Sequence, residues 1–235
     1  MKPQSALITG AGQGMGESIA RAFAAQSMDL MLVGRTASKL DRVAEACRAL
    51  SANVRTQALD ITDADAPQRL SEALAGQPLD VLINCAGDWL IEPFATTTPE
   101  QLDHILAVNL RAPYLLTRAL LPNLRQSQNA SIINIGSMAA VGSFPGITAY
   151  TAAKTGLRGL TGSMAAELRP ELIRVVMVSP TPANTPMRHA ATPEMDPKML
   201  IQPETIAQVV AMVINLPQGI TTGDLVLQSM HLKMD

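Results

Sequence analysis

Three residues in the run GSMAAVGSFPGITAYTAAK could do chemistry together: Ser137, Tyr150 and Lys154. Tyr150 and Lys154 are four apart in AYTAAKTGLRGLTGSMAAEL, a segment whose pattern predicts a helix, so both side chains leave one face about one turn apart. A positive charge beside a phenol favours the phenolate and is expected to lower the pKa of Tyr150. Ser137, at the end of an apolar strand pattern, can hydrogen-bond the same reacting oxygen. Such a set can protonate a carbonyl or deprotonate an alcohol. Tyrosine and lysine one turn apart are also common on ordinary helices, so the rest of the chain has to decide.

A second group of residues could hold a nucleotide. Thr9-Gly10-Ala11-Gly12-Gln13-Gly14-Met15-Gly16 puts glycines where a backbone must turn sharply and let a pyrophosphate come close, with free amides of a following helix pointing at it. A glycine cluster can equally serve tight helix packing; its place between a strand pattern and a helix pattern favours dinucleotide binding. At the end of the next strand pattern, where an acidic residue would bind the ribose hydroxyls and repel a 2′-phosphate, stand Gly34 and Arg35. A guanidinium there can grip phosphate, which favours NADP over NAD, though an arginine can also be a solvated surface charge.

The elements that must position these residues follow from hydrophobic periodicity. Ser5 to Thr9 predicts a strand and ESIARAFAAQ a helix; Asp29 to Val33 predicts a second strand, and Ser38 can cap a helix through Leu40, Val43, Ala44, Cys47 and Leu50. Further strands are predicted over Val54 to Leu59, Leu79 to Asn84, Ser131 to Ile135, Ile173 to Val178 and Asp224 to Leu227. Thr98, Pro99 and Gln101 announce a long helix in which Pro113 marks a kink or a junction. A last helix starts at Pro203, and the Pro-, Thr- and Met-rich connection before it suggests an active-site lid over residues 184–202. Apolar strands alternating with helices predict an α/β fold: a doubly wound, seven-stranded, mainly parallel sheet with helices on both faces. Ligands bind such sheets beyond the carboxyl ends of the strands, where Gly10 to Gly16, Arg35, Asp60, Asn84 to Gly87, Ser137 and Pro180 to Thr185 all fall.

Composition removes other classes. With 235 residues, 47% hydrophobic, 16% charged and a formal net charge of -2, the chain reads as one globular domain, residues 1–235, without a field that would attract nucleic acid or anionic membrane. Cys47 and Cys85 have no metal-ligand spacing with His104, His189 or His231, so no metal is expected and a reducing cytoplasm is inferred. Met1 to Gln4 lead straight into the first strand pattern, and no apolar run approaches a membrane span.

Over essentially its full length the sequence resembles the short-chain dehydrogenase/reductase family, whose domain is a Rossmann fold. The spacing of Gly10, Gly14 and Gly16 is that family's glycine motif, and Asn84-Cys85-Ala86-Gly87 is similar to its Asn-Asn-Ala-Gly segment with cysteine at the second place. Asn109, Ser137, Tyr150 and Lys154 match its catalytic asparagine, serine and Tyr-x-x-x-Lys pair. The resemblance implies a cofactor set of Gly10, Gln13, Gly14, Met15, Gly16, Arg35, Asp60, Ile61, Asn84, Ala86, Gly87, Tyr150, Lys154, Ala183 and Thr185. Within it Asp60 would lie near the adenine, and Thr185 would contact the nicotinamide carboxamide. The implied activity is hydride transfer between NADP(H) and a carbonyl or secondary alcohol. Two departures stand out: Pro180-Thr181 replaces the family's Pro-Gly and removes access to positive φ, and Gln13 stands where many NADP-preferring relatives are basic, leaving Arg35 most of the phosphate recognition.

Family breadth suggests a 3-oxoacyl thioester as the specific substrate, and relatives imply a homo-oligomer, dimer or tetramer, through the helices bearing Leu115, Leu116, Leu120, Leu157, Leu160 and Met164. Trp89, Phe144, Ile147, Met187 and Met199 face either the pocket or the core. Arg188 and His189 could meet an anion, but an exposed lid charge is the commoner use of such residues. The competing reading from another class is a non-catalytic dinucleotide-binding regulator or scaffold.

Overall fold

Residues 4–50 and 52–232 are described by a computed structural model; the lead-in at Met1 to Pro3 lies outside them. The strands are β1 (Ser5–Thr9), β2 (Asp29–Gly34), β3 (Val54–Ala58), β4 (Val81–Asn84), β5 (Ser131–Ile135), β6 (Arg174–Pro180) and β7 (Leu225–Leu227). They form one sheet in the order β3-β2-β1-β4-β5-β6-β7, and every pairing between them is parallel, where a mainly parallel sheet is expected from the sequence. The apolar runs of β4, β5 and β6 are buried on both faces. The two edge strands depart from that pattern: β3 (VRTQA) and β7 are largely open to solvent, because an edge strand lacks a neighbour on one side.

Side chains alternate across each inner strand, so one run of apolar residues feeds two cores. Ala6 and Ile8 of β1 pack with α1 (Gly14–Ala24), α2 (Ala37–Arg48) and α8 (Pro203–Ile214) on one face. Leu7 packs with α3 (Ala66–Leu74) and α5 (Ala112–Leu124) on the other, where the end of α6 (Thr148–Glu167) also joins. Helix α2 begins two residues earlier than Ser38 suggests: Thr36 is the extended N-cap residue, and its carbonyl accepts from the Lys39 and Leu40 amides.

Thr98 and Gln101 form the expected capping box at the start of α4 (Pro99–Leu106). The long helix does not simply kink at Pro113. A π-helical segment, Ala107–Arg111, separates α4 from α5, and Pro113 sits in the first turn of α5. Pro113 lacks the N–H that α-helical geometry would direct at the Asn109 carbonyl, so the wider turn falls where the regular ladder is already broken. Of the residues expected to be surplus for subunit contacts, Leu116, Leu120 and Leu157 are fully buried within the chain and Leu160 and Met164 pack against its cores.

After β6, Thr181 is buried, with its N–H donating to the Leu227 carbonyl at 2.8 Å and its hydroxyl accepting from the Ser229 N–H at 3.1 Å. It does not take a positive φ, so the missing glycine is answered by a backbone that does not need one. The segment that follows carries α7 (Pro186–Ala191) and is pinned to the body by a parallel bridge between Ala183 and Ile201.

The turn after β1 is tight. A Cβ added to Gly16 would lie 2.3 Å from the Gly10 carbonyl oxygen, a backbone atom that cannot swing away. Gly16→Ala is therefore expected to lower stability by about 1–3 kcal/mol in urea denaturation, with cofactor binding weakened as the turn opens.

Candidate active site

Strand order reverses between β1 and β4, and the turns that leave these two neighbours part to leave a cleft at the carboxyl edge of the sheet. Its floor is two backbones in contact. Gly10 has φ +68°, and a Cβ there would meet the Ala86 Cα at 2.8 Å. Thr9 Oγ1 locks the pair by accepting from the Cys85 and Ala86 amides at 3.0 and 3.1 Å. The cleft is lined by Gly10, Gln13, Gly14, Met15, Gly16, Arg35, Asp60, Ile61, Ala86, Gly87 and Thr185, all expected from the sequence. Of the expected set, Asn84, Tyr150, Lys154 and Ala183 do not line it. The Asn84 amide turns into the sheet to donate to Asn134 Oδ1 at 2.8 Å and Thr117 Oγ1 at 3.2 Å, and Ala183 is buried by its bridge to Ile201.

The cleft's chemistry fits a dinucleotide. The N-terminus of α1 presents backbone amides, and the acidic residue in its first turn, Glu17, is neutralised by Arg42 and Arg21. Hydrogen bonding from Arg42 is the main reason its carboxyl is held below the usual range. At the end of β2 the lining residues are Arg35, Thr36 and Lys39, with no carboxylate among them. Lys39, four residues beyond Arg35, carries no motif that marks it in the sequence; its Nζ donates to Gln13 Oε1 at 2.7 Å, so Gln13 holds a cation at the cleft. Asp60 faces the same end. Burial alone would raise its pKa, but the Thr62 N–H and hydroxyl, at 2.9 and 2.7 Å, and the charge of Arg35 together hold it low.

The inner end of the cleft meets the Ser137, Tyr150, Lys154 cluster at Gly87, where an added Cβ would lie 2.8 Å from Asn109 Oδ1 and 3.7 Å from Lys154 Nζ. The π-helical segment aims Asn109 inward. Its Nδ2 donates to the Asp88 and Ile105 carbonyls, both at 3.0 Å, while its Oδ1 is buried with no protein partner. Lys154 is buried and donates to the Ile135 carbonyl at 3.0 Å. Ser137 hydrogen-bonds Tyr150, whose ring packs edge-on to Trp89 with centroids 4.5 Å apart.

One electrostatic expectation is overturned. Tyr150 is not acidified by Lys154: burial pushes the phenol up to about 12, against weaker downward pulls from the Ser137 hydrogen bond and the Arg188 charge. Burial also pushes Lys154 down to about 8, so the ammonium that should favour a phenolate is itself destabilised. Two lid expectations also change. Arg188 is not an exposed charge but lies over the Trp89 ring, 4.7 Å from its centroid, whereas Phe144 and Met199 are exposed. Ile147 is buried beside Tyr150, and Met187 lines the nucleotide cleft.

Residues 4–196 match the family profile described as short chain dehydrogenase. The chain belongs to the short-chain dehydrogenase family. It is an oxidoreductase of that family, acting between carbonyl and alcohol with a nicotinamide cofactor. Among its relatives are a carbonyl reductase [NADPH] 2 of Sus scrofa, 34% identical over 83% of this chain and 78% of the relative, and an L-xylulose reductase of Bos taurus, 32% identical over 94% and 93%. A solved metagenomic short-chain oxidoreductase in complex with NADP superposes with a TM-score of 0.84 at 33% identity, covering 99% of both chains. Among the described residues of this short-chain dehydrogenase no helix is long and apolar enough to cross a membrane, and no cluster of side chains could hold a metal ion.

The two shifted groups give the free protein a distinctive pH profile. Lys154, depressed in the fold, makes stability rise as pH goes from about 8 towards 10.5, because the unfolded chain there binds the extra proton. Tyr150, raised in the fold, makes stability fall between 10 and about 12, where only the unfolded phenol ionises. Denaturant titrations across this range are expected to lose the first limb in Lys154→Met and the second in Tyr150→Phe.

Proposed function

We propose that this chain is an NADP-dependent carbonyl reductase in which Tyr150 is the proton donor. The observation that carries the reading is a phenol held protonated by burial and hydrogen-bonded by Ser137, beside the inner end of a glycine-floored cleft. The nicotinamide supplies the hydride when bound. Tyr150 gives its proton to the carbonyl oxygen, Ser137 orients that oxygen, and Lys154 holds the ribose and stabilises charge left on the phenol. The orphaned Oδ1 of Asn109, close to Lys154, suits an ordered water through which the proton is replaced. Arg35 and Lys39 would bind the 2′-phosphate, which supports NADP(H) over NAD(H).

In this reading residues 1–235 work as one catalytic domain and residues 184–202 are its substrate lid. A 3-oxoacyl thioester is the specific substrate suggested by the family's breadth. What supports it here is the apolar cluster around Tyr150, which includes Trp89, Leu90, Leu106 and Ile147. Association into a homo-oligomer is retained from the relatives, with half-exposed Tyr114 and partly exposed Leu115 on α5 available to meet a second copy. Tyr150→Phe is expected to cut carbonyl reduction by roughly 10²–10⁴-fold while NADPH still binds, and wild-type rates in that variant would refute the assignment. Replacing Arg35 and Lys39 by alanine should each raise the KM for NADPH by roughly 10–100-fold and leave NADH kinetics nearly unchanged.

A further inference from the structure

Arg188 is held over the face of Trp89, 4.7 Å from the ring centroid, and Trp89 in turn packs edge-on to Tyr150. The stack runs from the guanidinium to the reacting phenol. Its electrostatic reach is visible at both ends, since the Arg188 charge pulls the Tyr150 pKa down and Tyr150 pulls that of Arg188 up. Arg188 is half-buried, and desolvation makes its charge costly. Yet among the described residues no carboxylate lies within ion-pair distance of it, and its side-chain hydrogen bond is a long one, 3.4 Å to Thr192 Oγ1. Nor does it line the nucleotide cleft, whose wall on this side is made by Thr185, Pro186 and Met187. Beside it, Trp89 Nε1 is buried without an acceptor. A cation without a counter-charge and an indole N–H without an acceptor therefore stand next to the group that would protonate a carbonyl.

We infer that Arg188, seated on Trp89, is a substrate-binding residue that selects carbonyl compounds bearing an oxyanion, a carboxylate or a phosphate monoester, a few atoms from the reacting carbonyl. The inference rests on the carbonyl-reductase reading of the Tyr150 site and replaces the thioester suggested there with an anionic substrate class. A planar guanidinium braced on an aromatic face offers two parallel N–H groups to such an anion with little rotamer freedom left to lose, and the anion supplies the charge that the half-buried arginine lacks. An uncharged thioester would offer Arg188 only a carbonyl oxygen.

Trp89 is the chain's single tryptophan, so its fluorescence reports directly on ligand arriving between Arg188 and Tyr150. The full-length protein saturated with NADP+, which permits binding of an oxo compound without reducing it, is titrated with three pairs. These are acetoacetate against its N-acetylcysteamine thioester, 4-oxopentanoate against its methyl ester, and dihydroxyacetone phosphate against dihydroxyacetone. The anionic member of at least one pair is expected to bind at least tenfold more tightly, and which pair responds separates carboxylate from phosphate. That advantage should vanish in Arg188→Gln and shrink in Arg188→Lys, with NADP+ affinity and circular dichroism unchanged in both. No anionic advantage in any pair, or one that survives in Arg188→Gln, would overturn the inference while leaving the reductase reading intact. Failure of NADP+ to bind the wild-type protein would take both down.

Discussion

Everything at this site depends on two backbones touching. The turn after β1 and the turn after β4 approach so closely at Gly10 and Ala86 that no side chain fits between them, and Thr9 fixes the distance by accepting both amides of the opposing turn. From that contact the α1 amides face the cleft, Gly87 is delivered to its inner end, and the Asn109 and Lys154 side chains find a wall to pack against. The cost of leaving glycines in the turn is conformational freedom in the unfolded chain, and the surrounding parallel strands offset it by burying both faces of nearly every neighbour.

At the reacting end the dominant effect is loss of water, not attraction between opposite charges. A phenol and an ammonium side by side in solvent would help each other ionise. Buried together they are both pushed towards neutrality, and the weaker hydrogen bond from Ser137 cannot reverse it. A neutral acid close to a suppressed cation suits a site that hands a proton to an incoming carbonyl.

Sequence and structure agree most where a residue's role is local. The strand-glycine-helix order, the Thr98 capping box and the Tyr150 to Lys154 spacing are all short-range patterns, and each is found in place. What escaped the sequence was set by partners distant along the chain. Lys39 joins the cleft lining because Gln13 holds it, Asn84 turns inward because Asn134 and Thr117 wait there, and Arg188 is half-buried because Trp89 offers a face. The π-helical segment was half-legible: Pro113 announced a break, but nothing in the local pattern said that it would widen the helix instead of bending it.

The buried amide of Asn84 has a further consequence, for folding fidelity. In the sheet Asn84 is the register partner of Asn134, the two are joined at 2.8 Å, and Asn134 continues to Thr161 Oγ1 of α6 at 2.8 Å. Strands such as VLIN and SIINI are apolar on both faces, so a slip of two residues would still bury hydrocarbon and would be penalised little by the hydrophobic effect alone. The amides make the misaligned pairing expensive, because each would then be buried without a partner. These asparagines act as a vernier, locking the strand that ends at the cleft to the strand that ends at Ser137 and to the helix that carries Tyr150.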